Sequence, residues 1–129
     1  MKDLQIEVEP ITSGVLVRLT GEAAVGSVDR LQSSLLGITA QRPSLIVFDM
    51  AGIAFAASLF MGVLVTFRRG IVRNGGQVRL AALQPSVEAA FRTARLGELF
   101  PILSTVQAAL ESGLNGLSSG RGEQYSAAK

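Results

Sequence analysis

The chain has 129 residues with no cysteine and no histidine, and its ten arginines and two lysines face ten acids, for a formal net charge of +2. A single domain of this length buries roughly 68% of the surface its unfolded chain exposes, enough for a core without disulfide or metal staples. The missing residue types exclude thiolate nucleophiles, zinc–thiolate sites and histidine acid–base chemistry. Lysine occurs only at Lys2 and Lys129, which argues against a lysine-activated serine or a Schiff base, so neither an enzyme, a metal nor a cofactor is expected.

In chain order, Leu4, Ile6 and Val8 alternate with Gln5, Glu7 and Glu9, the period of a half-buried strand that Pro10 should stop. Val15, Val17 and Leu19 alternate with Leu16, Arg18 and Thr20, and a turn through Ser13 and Gly14 joins the two runs as an antiparallel pair. A helix is expected from about Ser27 to Ile38, with Val28, Leu31 and Leu35 on one face. The unbroken apolar run Leu45 to Phe48 reads as a central strand covered on both faces and closed by Asp49. A helix from about Leu59 to Arg73 stops at Asn74-Gly75-Gly76.

Val78, Leu80 and Ala82 form the next strand. Pro85 opens a helix whose stripe is Val87, Ala90, Phe91 and Ala94, with Gly97 beyond its end. Phe100 to Leu103 suits an edge strand, because Pro101 cannot donate from the middle of a sheet. Ser104 and Gln107 read as the capping box of a last helix bearing Val106 and Leu110. Residues 113–129, rich in Gly and Ser, read as a flexible tail after a domain spanning 1–112. The expected fold is therefore α/β: a mixed sheet with an N-terminal hairpin, its parallel part built from right-handed crossovers and covered by about four helices.

Between Arg68 and Arg95 there are six arginines and one acid, Glu88. They could offer a basic face to an acidic partner, although a mixed, solvated surface is the expectation. With one Tyr and no Trp there are few stacking platforms for nucleic acid. Residues 50–67 are apolar enough to raise a membrane span, but Gly52 marks a strand exit within them, and no span is expected. The first ten residues have no apolar signal core, so a cytoplasmic location is the default.

From Leu45 to Val65 only Asp49 and Ser58 carry polar side chains. Ser58, Gly62, Thr66, Arg69 and Arg73 are spaced by four, four, three and four residues, which puts them on one helix face, the one expected to meet solvent or a partner protein. Ser58 heads that stripe. It suits either a plain N-cap worth ~1 kcal/mol or a modification site, where a phosphate beside the helix N-terminus would block an apolar partner surface. Asp49 suits a structural turn, its carboxylate accepting backbone amides.

Four segments resemble the STAS domain of bacterial anti-sigma factor antagonists: RLTGE at Arg18 to Glu22, LIVFDMAGIAFAASLFMG at Leu45 to Gly62, NGGQVRL at Asn74 to Leu80, and LQPSVEAAFRTARLGELFPIL at Leu83 to Leu103. In that family a strand and turn lead to Asp-Ser-Ser/Thr-Gly-Leu-Gly opening a helix, and a partner kinase, itself the anti-sigma factor, phosphorylates the first serine. Ser58 matches that serine and Gly62 the last glycine, while Ala57, Leu59, Phe60 and Met61 depart from the pattern. Asp49 also matches a common family position. The resemblance implies a regulatory protein that binds an anti-sigma factor kinase through Ser58, Leu59, Gly62, Thr66, Arg69 and Arg73, with phosphorylation of Ser58 weak or lost. It admits, as an alternative, a subunit or regulator of a membrane transporter, such as a lipid-handling one. No phosphate loop or G-x-G-x-x-G element points to nucleotide binding.

Overall fold

The computed structural model describes residues 3–12 and 14–111; the tail expected at 113–129 lies outside them. β1 (Gln5–Ile11) pairs antiparallel with β2 (Gly14–Ala23), and β2, β3 (Leu45–Ala56), β4 (Gln77–Ala81) and β5 (Ile102–Leu103) follow as parallel neighbours in the order β1-β2-β3-β4-β5. This is the mixed sheet expected, with its hairpin at one edge. Parallel neighbours need crossovers, and here each is a helix: α1 (Val28–Ala40), α2 (Ser58–Arg73) and α3 (Pro85–Thr93). Crossovers of one hand between successive strands put all three helices on one sheet face.

The core follows from that layering. Val15, Val17 and Leu19 of β2, Ile46 and Phe48 of β3, and Val78 and Leu80 of β4 meet Leu31 and Leu35 of α1, Phe60, Val63, Leu64 and Phe67 of α2, and Val87 and Phe91 of α3 in one buried cluster. Phe48 and Phe67 pack edge to face, with ring centroids 5.7 Å apart at 76°. The opposite face carries a smaller cluster of Leu16, Leu45, Val47 and Ala81 against Val106, Ala109 and Leu110 of α4 (106–111). β3 is thus apolar on both faces because helices lie on both.

Several boundaries differ from the sequence expectation, each for a local reason. Pro10 lies inside β1, opposite Val15; at a sheet edge its missing N–H costs no ladder bond. The core side of β1 fades along the strand, Leu4 being fully buried, Ile6 partly and Val8 half exposed. α1 secures its start, where the Arg30 guanidinium donates to the Leu4 carbonyl. β3 does not end at Asp49 but runs on to Ala56. α3 ends before Ala94, which is exposed, and the chain reverses at Arg95 (φ 63°) rather than at Gly97. The cap of α4 is Thr105, whose Oγ1 accepts from the Ala108 N–H at 3.0 Å; the Gln107 side chain donates to Glu111 instead of closing a box with Ser104.

Two glycines are required by conformation. α2 ends as its sequence indicates: Gly75 adopts φ 88°, its N–H donates to the Val72 carbonyl, and the Gly76 N–H donates to Ile71, the paired bonds of a Schellman motif. Gly21 sits at φ 101°, where an added Cβ would lie 2.4 Å from the Asp3 carbonyl oxygen. Gly21→Ala combines a left-handed backbone with that clash, and a loss of about 1–3 kcal/mol is expected in urea unfolding.

Candidate protein-docking site

Two register shifts in the β2–β3 ladder build the site. Arg18 faces Asp49 and Thr20 faces Gly52, so Leu19 opposes both Met50 and Ala51; Gly21 faces Ile53 and Ala23 faces Ala56, so Glu22 opposes Ala54 and Phe55. Each extra residue on β3 breaks the period-two alternation. Met50, Ile53 and Ala56 stay buried while Ala51, Gly52, Ala54 and Phe55 turn outward.

Asp49 serves the first shift. Its Oδ1 accepts from the Ala51 N–H at 3.1 Å, and its Oδ2 accepts from Arg18 Nε at 3.1 Å. Glu7 and Glu9 lie 3.7 and 3.9 Å from Arg18 Nη1. The Asp49 hydrogen bond, with the surrounding carboxylates, raises the Arg18 pKa above its ordinary value. The second half of β3 is clamped from α3: Gln84 Nε2 donates to the Ala51 carbonyl at 2.9 Å, and Ser86 Oγ to Ala54 at 3.4 Å.

The strand then delivers α2. The Ala57 N–H donates to the Ala23 carbonyl at 3.0 Å, and Ala57 is the N-cap. Ser58 is therefore the first helical residue rather than the cap anticipated for it, and no side chain caps the helix or places an acid in its first turn. The amides of this turn have no intrahelical acceptors, which favours an anion beside them.

All six residues expected at the partner face, Ser58, Leu59, Gly62, Thr66, Arg69 and Arg73, are exposed along α2. Phe60, by contrast, is fully buried in the main cluster, and Met61 is partly buried against it. Phe60 therefore adds its bulk to the core and leaves the surface at Ser58 open. The sequence reading missed Phe55, which is 59% exposed, and Val25, which is 62% exposed. The Ala23–Ala56 pairing and the Ala57–Ala23 bond draw their segments to the strand end where Leu59 stands 52% exposed. Only the ladder shifts identify Phe55, since a regular strand of this composition gives no sign of which residues turn outward. Single exposed hydrophobes are ordinary, but three on adjoining segments at one strand end suit a protein surface.

The six arginines between 68 and 95 do not form a single basic face. Arg68 Nε donates to the Leu99 carbonyl at 2.7 Å, and Arg92 pairs with Glu88 at 2.8 Å. Arg79 lies on β4, where burial lowers its pKa, and its guanidinium donates to the Gln77 side chain. Among the described residues, no group of three or more acidic side chains is placed to hold a metal ion, and no helix is long and apolar enough to cross a membrane.

The STAS domain family model matches residues 5–109. The structure is similar to that of an anti-sigma factor antagonist from Mycobacterium paratuberculosis (TM-score 0.81, 20% identity, covering 87% of this chain and 95% of that chain). It is also similar to SpoIIAA, an anti-sigma factor antagonist, in its unphosphorylated form (0.72, 20%, 91% and 98%). A sulfate transporter family protein from Wolinella succinogenes matches at TM-score 0.70 and 17% identity, covering 80% of this chain and 86% of that chain.

Proposed function

The chain belongs to the STAS domain family, and from that premise we propose that it is a non-catalytic regulatory domain of the anti-sigma factor antagonist kind, docking an anti-sigma factor kinase through the surface around Ser58. The observation that carries this reading is the placement of Ser58 at the exposed first position of α2, next to exposed Leu59 and after the strand end that carries exposed Phe55. An apolar partner surface seated there would cover all three. A phosphate on Ser58 would set about two negative charges in that contact and break it.

Ala57 and Leu59 stand where the family motif has an acid and a second hydroxyl residue. We infer that phosphorylation is slow or lost and that binding is constitutive. Mixed with the purified kinase and ATP, the wild-type chain should take up little phosphate and stay bound, and Ser58→Ala should bind as the wild type does. Stoichiometric phosphate that Ser58→Ala removes would overturn the constitutive version and leave the docking surface standing. No complex with the kinase would overturn the docking reading.

The likeness to a sulfate transporter family protein supports a second reading, a regulatory domain that acts on a membrane transporter. Co-purification with a permease or its ATPase from solubilised membranes, with no kinase recovered, would favour it.

A further inference from the structure

We propose that the groove between α1 and α2, which takes Thr66, Arg69 and Arg73 from the far end of the stripe that Ser58 heads, is a second docking site and that it takes an acidic amphipathic helix of a partner protein. The groove encloses about 510 Å³. Leu35 of α1 with Val63 and Phe67 of α2 make its apolar floor, Leu36 stands on one side, and Arg69 and Arg73 stand on the other. Leu36 is 71% exposed, more than the other large hydrophobes exposed among the described residues.

The charge on the groove has one sign. None of its lining residues is acidic, and neither Arg69 nor Arg73 takes part in an ion pair among the described residues. The two arginines are four residues apart, one turn along α2, which is also the spacing of two acids one turn apart on a facing helix. Such a helix could seat aliphatic side chains on the floor and against Leu36 while its acids meet both guanidinium groups. A small anion would pair with the arginines and leave Leu36 in water. The groove thus asks for an apolar stripe and acids together.

A display library of amphipathic helices, alike in their leucine stripe and carrying either acidic or basic flanks, would be panned on the full chain. Acidic members should enrich. Binding of the synthesised winners should weaken at least about tenfold in Arg69→Glu/Arg73→Glu and in Leu36→Glu, and should fall as salt is raised. The winners should shift the amide resonances of Leu36 and Gly70. Leu59→Glu should leave their binding unchanged, so failure here and failure of the kinase-docking reading are separate results. Enrichment of basic members, indifference to the double charge reversal, or resonance changes confined to the Ser58 end would overturn the proposal. So would saturation of the groove by dodecanoate when no acidic helix enriches, which would make it a fatty-acyl site.

Discussion

Phe60→Ala should destabilise the domain by about 3–5 kcal/mol, the range for removing a buried aromatic side chain from a close-packed core. Phe60 has no exposed surface and joins the cluster that holds α2 against the sheet. Truncation loses its transfer free energy and leaves a cavity between elements whose backbones are tied on both sides. For a domain near this size, each kcal/mol moves the melting temperature by about 4 °C, so a fall on the order of 12–20 °C is expected in calorimetry. Leu59→Ala, one residue away and half exposed, is the matched control and should change stability by no more than about 0.5 kcal/mol. Similar losses for the two variants would show that Phe60 is not the anchor of this turn. The family motif has glycine at this position, but Phe60→Gly would remove the same ring and loosen the helix as well.

On the docking proposed at the Ser58 end, Leu59→Glu is expected to weaken binding of an anti-sigma factor kinase by about 100-fold or more, near 2.7 kcal/mol, with no comparable loss of fold stability. An exposed side chain at the head of α2 tolerates a carboxylate in the free protein, but a docked complex must strip water from that charge with nothing to pair it. An acid in the first turn also suits the helix dipole, so the variant should fold. Calorimetric titration with the kinase and urea unfolding of the same samples separate the two effects. Binding within about threefold of wild type would remove Leu59 from the interface and move the search to Phe55 and Val25.

Much of the fold was legible because most elements are amphipathic at their own period. The Val28, Leu31 and Leu35 stripe, the Val15, Val17 and Leu19 alternation and the Asn74-Gly75-Gly76 stop each encode a local conformation, and each is found in the structure. The misreadings have a common source. Pro10 is harmless because β1 is an edge, and Asp49 does not end β3 because the Ala51 amide and Arg18 occupy its carboxylate while the strand continues. The edge position of β1 and the Arg18–Asp49 bond are both set by parts of the chain distant in sequence.

The same division holds at the candidate site. Spacing alone put Ser58, Gly62, Thr66, Arg69 and Arg73 on one helix face, since that follows from the 3.6-residue turn. Which residues of the apolar run Leu45 to Val65 face solvent was decided by the tertiary structure. The two shifts against β2 turn Phe55 out, and packing against the sheet takes Phe60 in. Local periodicity specifies a helix and its faces, whereas the orientation of an all-apolar segment is set only when a neighbouring strand fixes its register and a core closes over one side.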